Sequence, residues 1–360
     1  MSGRTKLDRL SELVNIDVDS VDPRVAKALP FKAFNQTSNQ AVFYTALCDE
    51  YNKEDYEWAV KEFGKEGWAE VWDRFCCKLC ANNLPNVQNR VLIRLSPRNL
   101  KNKDTVLAQC HNFDKIFSEL GVSRDQYGIK IPVVGIGMAA AKELNEQGIR
   151  TLGTSLFGLP QAIAASQAGC FAISPYYNEV RAYSDKSLWP DVQDPAINHP
   201  MSARLIHILE TYTKLYEQTG KEQPIIIMAS HANLEELFAT ASLGVQHSTI
   251  LGHHLTELAA TPDDLPPHGY IKPSHPYKNR VTPTRFTLHS TSDPLAGPDW
   301  DGTLARTDID YLANGGEELD KAIKSDPVVT GKIKDVLDIF HGEEEKAREK
   351  IEKDIKVLFG

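Results

Sequence analysis

Apolar and polar positions along this 360-residue chain alternate between two rhythms. Short runs rich in β-branched and apolar residues, at 13–19, 33–37, 90–95, 128–133, 150–154, 170–174, 224–229 and 246–251, predict strands. Longer stretches with apolar positions three to four apart, at 39–51, 106–120, 138–146, 159–168, 202–218 and 233–241, predict amphipathic helices between them. Strand followed by helix along eight strands predicts an α/β protein, a (β/α)8 TIM-type barrel spanning 1–260. A doubly wound open sheet shares this alternation, so the count alone does not separate the two.

The rhythm breaks after Thr261. Residues 261–315 begin with a stretch rich in Pro, Asp, His, Ser and Thr, including His268, His275 and Tyr277, and predict a loop region over the barrel. Residues 316–360 return to helix, with Ile333, Val336, Leu337 and Phe340 on one face and a mixed charge run after Glu343. They predict extra C-terminal helices packed on the same domain.

Composition narrows the partners. Hydrophobic residues make up 41%, enough for a sizeable core, and the formal net charge is -9. That charge argues against nucleic acid or an anionic membrane as bulk partner. No apolar run reaches the length of a membrane span, and the start lacks the apolar core of a signal peptide, so a cytoplasmic location is expected. Six cysteines are too few for a disulfide scaffold. Cys76, Cys77 and Cys80 share a helical pattern and read as buried thiols rather than as zinc ligands.

Lys130 is the chemical anomaly. It interrupts the strand-like run Gly128-Ile-Lys-Ile-Pro-Val-Val134, where a charged amine costs several kcal/mol unless it is paired or neutral. Neutral lysine attacks carbonyls and forms Schiff bases. The run is followed by Gly135-Ile-Gly-Met-Ala-Ala140, which has the form of a dinucleotide fingerprint. That fingerprint also needs an acid about 20 positions on, and the next strand and its exit contain none. The glycines therefore read as a close helix-to-barrel contact.

Barrel chemistry gathers at the C-terminal ends of strands. Those ends carry Asp17 or Asp19, Asn39, Arg94, Lys130, Thr154, Ser174 with Tyr176, and Ser230 with His231. An aldol enzyme working through an imine needs an amine nucleophile, a carboxylate to accept a hydroxyl proton, and hydroxyls to hold water and substrate.

Several of these motifs recur in a known order. The segments Ile129-Lys-Ile-Pro, Ala140-Ala-Lys-Glu-Leu-Asn-Glu-Gln-Gly-Ile149, Thr154-Ser-Leu-Phe-Gly-Leu-Pro-Gln-Ala-Ile163 and Ala168-Gly-Cys-Phe-Ala-Ile-Ser-Pro175 resemble the central block of the transaldolases. Asn35-Gln-Thr-Ser-Asn-Gln40 resembles their strand-two motif, and Met228-Ala-Ser-His-Ala-Asn-Leu234 their strand-seven motif. The resemblance spans roughly 10–255. It implies a barrel without metal or organic cofactor and Lys130 as Schiff-base nucleophile. It further implies Asp19 as acid/base, with Asp17 in reserve, and Thr154 as holder of the catalytic water. Asn39 and Ser174 would bind substrate, joined from the strand-end reading by Arg94, Tyr176, Ser230 and His231.

Three departures qualify this. Arg94 stands where the family has a glutamate, and an arginine cannot shuttle that proton. Glu179 and Ala232 replace two phosphate-binding arginines, and Tyr176 replaces a phenylalanine. Three functions follow as alternatives. One is an aldolase or transaldolase acting through Lys130, not on the usual phosphosugar pair. The second is a repurposed barrel in specialised metabolism, for an amine–aldehyde (Pictet–Spengler-type) condensation or an aldol step on an unphosphorylated substrate. The third is a barrel that only binds. The expected partner is a small carbonyl compound, with homodimerisation left open.

Overall fold

The computed structural model describes residues 3–266 and 272–360; His268 lies outside them. Eight parallel strands close into a barrel: β1 (Asn15–Asp19), β2 (Ala33–Thr37), β3 (Val87–Arg94), β4 (Tyr127–Pro132), β5 (Thr151–Leu156), β6 (Ala172–Pro175), β7 (Ile225–Met228) and β8 (His247–Leu251). β8 pairs with β1, which excludes the open sheet.

Strand alternation sorts the side chains into two cores. Ile129, Ile131 and Val133 point outward and join the large apolar cluster beneath the helices. Leu92, Leu152, Ala172 and Ile227 form a separate apolar plug inside the barrel. Opposite the plug the interior is polar. Asp17 accepts from the Asn35 backbone N–H (3.0 Å) and amide Nδ2 (2.9 Å), and His247 Nδ1 lies 3.0 Å from the same carboxylate. Such a buried carboxylate is tolerable only because its oxygens are satisfied.

The two glycines after β4 act in packing. A side chain on Gly135 would strike the Gly316 carbonyl at 2.4 Å, and one on Gly137 the Pro132 carbonyl at 2.4 Å. Gly135 N–H also donates to the Asp320 carboxylate at 2.7 Å. The first helix after β4 (Gly135–Glu146) thus has its positive end occupied by the chain's own anion. Cys76, Cys77 and Cys80 are buried free thiols, and burial pushes the Cys80 thiol up to about 12.

Beyond the barrel, the last helix (Pro327–Phe359) starts at an Asp326 cap and runs across the ends of β3 and β5. The segment after residue 272 lies instead along the outer flank of helix Pro200–Thr219. Tyr277 is buried there against Tyr212, and His275 faces Glu222. Arg204 ties this segment to the helical extension through Asp293 and Asp326. Among the described residues no helix is long and apolar enough to cross a membrane.

Candidate active site

Lys130 lies directly beside Arg94 in the β3–β4 register, so two cations share one layer of the barrel. They are 4% and 2% exposed, and neither has a carboxylate at ion-pair distance among the described residues. The amine of Lys130 donates to the Ser38 carbonyl at 3.0 Å. Burial draws its pKa down, Asp19 and the Tyr176 phenol offset part of that, and Arg94 adds to the lowering. The amine is therefore biased toward the form that can attack a carbonyl.

Arg94 is held from three sides. Its Nη1 donates to the Tyr176 hydroxyl oxygen at 2.9 Å and its Nη2 to Ser155 Oγ at 2.8 Å, while the Phe340 ring lies 4.3 Å from its guanidinium carbon. Ser155 adopts φ +56°, a left-handed backbone uncommon for serine, at the irregularity where β5 pairs with β6. This turn aims the hydroxyl at the arginine, a place where local strain serves a site.

Tyr176 responds to these neighbours. Burial alone would raise its phenol pKa, but Arg94 and then Lys130 outweigh it, and the phenol stays below its ordinary value. Because arginine only donates, the phenol oxygen accepts and its own proton points elsewhere. Thr154 Oγ1 lies near enough to help lower that pKa, without completing a hydrogen bond of good geometry. Thr154 pairs with Ser174 across β5 and β6, and both hydroxyls are buried without partners. Orphaned hydroxyls inside a barrel are unusual and suit a site that waits for water or substrate.

The two aspartates of β1 differ in engagement. Asp17 is fully enclosed and held by Asn35 and His247. Asp19, one layer nearer the mouth and partly exposed, accepts from Thr37 Oγ1 at 2.8 Å. Asn39 caps the helix after β2, its side-chain oxygen accepting from Val42 N–H at 3.0 Å. That leaves its amide N–H groups for a ligand.

Ser230 and His231 stand apart from this group. They line a cavity of about 420 Å³ between the β6 loop and the ends of β7 and β8. Tyr183 separates it from Asp19: half of the residue is exposed at the mouth, but its hydroxyl end is enclosed against Ser230 and faces Asp19 and Tyr176. Ser38, Ser155, Tyr183, Asn178 and Glu236 escaped the sequence reading, since each matters through a contact distant in sequence.

Glu179 and Ala232 are both engaged locally. Glu179 binds Arg181 at 2.6 Å, and Arg181 in turn reaches Asp335 at 3.0 Å. Ala232 N–H donates to the Glu236 carboxylate at 2.6 Å. Among the described residues no group of three or more His, Cys, Asp or Glu is arranged to hold a metal ion.

A comparison with protein-family models matches residues 15–296 to the model described as "Transaldolase/Fructose-6-phosphate aldolase". The chain belongs to the transaldolase/fructose-6-phosphate aldolase family. Membership supports an aldolase-type enzyme and accounts for the motif order from β2 to β7. Solved structures similar to the chain include an IMP dehydrogenase/GMP reductase-like protein from Corynebacterium glutamicum (9% identity, 70% of this chain and 69% of that one, TM-score 0.42). Another is a protein provisionally described as a phosphonomutase from Burkholderia cenocepacia (9% identity, 71% and 90%, TM-score 0.36).

Proposed function

We propose that the chain is a Schiff-base aldolase or transaldolase in which Lys130 is the nucleophile and Tyr176 transfers the protons that the family assigns to a glutamate. The observation that carries this is the buried Lys130 amine beside the Arg94–Tyr176 pair. The neutral amine adds to a ketone or aldehyde and gives a carbinolamine. Tyr176 donates a proton to the departing hydroxyl, water leaves, and the imine forms. Asp19 takes the proton from the hydroxyl on the carbon beside the breaking C–C bond, so that an aldehyde departs and an enamine remains on Lys130. The enamine then either attacks a second aldehyde or is protonated, and water held near Thr154 releases the ketone. Asp19 suits its role better than Asp17, whose oxygens already hold Asn35 and His247.

Arg94 supplies no proton. Its fixed charge favours both the neutral amine and the ionised phenol, the two basic forms the cycle passes through.

Borohydride reduction in the presence of fructose, dihydroxyacetone or a simple aldehyde, followed by peptide mass measurement, tests the reading. A reduced adduct on Lys130, lost in Lys130→Met, is the expected result. Absence of an adduct with every carbonyl would overturn Lys130 as nucleophile. Turnover of an amine–aldehyde pair without an adduct would establish the condensation reading in its place.

A further inference from the structure

The barrel interior holds two aspartates one layer apart, with a pair of threonine hydroxyls reaching across the strand that carries them. Asp17 and Asp19 are two positions apart on β1, so both face inward. The parallel register sets Thr37 of β2 beside Asp19 and Thr249 of β8 beside Asp17. The two threonines nevertheless meet inside the barrel. Their Oγ1 atoms are hydrogen-bonded to each other, 212 positions apart in the chain, and both residues are buried.

The protons in this chain have one consistent order. Thr37 Oγ1 donates to Asp19 Oδ1 at 2.8 Å. A hydroxyl has a single proton, so Thr37 can only accept from Thr249, and Thr249 donates. Both protons therefore point along the chain toward the carboxylate, and each bond polarises the next. Among the described residues no hydrogen bond reaches Asp19 Oδ2, which leaves that oxygen open to a substrate hydroxyl. The other groups of the site are held by separate means. Asp17 is fixed by Asn35 and His247, and His247 Nε2 lies 3.1 Å from Asn15 Nδ2. Ser38, whose carbonyl accepts from the Lys130 amine, is anchored by its own Oγ to the Leu92 carbonyl at 2.7 Å. Thr249 thus reaches the site through Asp19 and not through the nucleophile.

Resting on the imine reading above, we infer that Thr249 is a positioning residue for the bond-breaking step, holding Asp19 through Thr37 with Oδ1 engaged and Oδ2 free. As the C–C bond of the Lys130 iminium breaks, its electron pair moves into the enamine. The neighbouring hydroxyl carbon becomes the aldehyde, and its proton passes to Asp19 Oδ2. A partly exposed carboxylate at a strand end has several rotamers open to it, and a fixed one is worth most where a proton must move along one line. Imine formation takes no proton from Asp19. The two halves of the reaction therefore depend differently on Thr249.

Fructose is the probe: its imine at C2 releases glyceraldehyde when C3–C4 breaks, with the C4 hydroxyl giving up its proton. Two rates are read, borohydride trapping on Lys130 and glyceraldehyde release. Thr249→Val should trap as fast as the unmodified protein but release glyceraldehyde about 10- to 100-fold more slowly, the worth of one hydrogen bond to a charged group. Thr249→Ser, which keeps the hydroxyl, should restore most of the release. Thr37→Val should slow release at least as much, and Thr249→Val added to it should slow it no further, since the link to Asp19 is already cut. A parallel fall of both rates in Thr249→Val would reduce Thr249 to a packing role. Independent losses in the double variant would show that it does not act through Thr37. Either result overturns the inference, as would unchanged release in Thr249→Val or an adduct that the unmodified protein never cleaves. Absence of any adduct in the unmodified protein is a separate outcome: it brings down the imine reading, and this inference with it.

Discussion

Arg94 illustrates how one fixed charge sets the chemistry of its neighbours. A guanidinium has no proton to give up at working pH, yet its fixed charge favours an ionised phenol and a neutral amine. Tyr176→Phe should therefore reduce kcat by about 10²–10³, the usual worth of a positioned general acid, with a smaller change in KM. Arg94→Met makes a separate prediction. Removing the cation lets the Lys130 and Tyr176 pKa values rise, so at a given pH less of the amine is neutral and the rising limb of the pH–rate profile moves to higher pH. A profile that stays in place would show that Arg94 does not tune either group. None of this is visible in Tyr176 or Arg94 taken singly, because they are 82 positions apart and meet only across the barrel.

At the scale of elements, the helix before β3 (Trp68–Asn83) and the helix before β4 (Lys103–Glu119) share a buried carboxylate. Asp73 accepts from Gln109 Nε2 at 2.9 Å and Asn112 Nδ2 at 3.2 Å, and burial raises its pKa to about 7. A raised folded-state pKa means that the folded form keeps a proton which the unfolded chain has already lost. The associated stability is present below about pH 4 and is lost as pH rises through about 7. Relative to Asp73→Asn, which does not titrate, the unmodified protein should weaken by on the order of 3 kcal/mol across that window, read from urea midpoints at pH 5 and pH 8. Parallel curves for the two proteins would sink the assignment. The sequence placed both helices by their apolar spacing, but the spacing does not say that Asp73 lies on the face where the helices meet. Element ends were legible for similar reasons and to a similar limit: β3 begins at Val87 rather than 90, since Val87 pairs with Ala33 before the apolar run starts.

For the whole molecule, the mouth of the barrel is completed by chain that follows it. Phe340 covers Arg94, and Ser96 after β3 binds the buried Glu344, 248 positions away. This extension is pinned where Gly316, at φ +99°, meets Gly135; a side chain there would lie 2.3 Å from the Gly135 backbone. Gly316→Ala should cost several kcal/mol through strain and overlap. Hydrogen exchange should then quicken along Pro327–Phe359, with loss of trapping on Lys130 as Arg94 loses its cover; unchanged protection would place the anchor elsewhere. By itself the sequence determined the alternation of strand and helix, the order of residues at the strand ends, and an amine set in an apolar strand, because periodicity and neighbour chemistry are local properties of a chain. Tertiary structure alone decided that Tyr176 is clamped by Arg94, that Glu236 is buried against Asn178 and the Ala232 N–H, and that the last helix covers the site. Each of those rests on groups brought within a few ångströms by barrel closure, and separation along the chain carries no record of that distance.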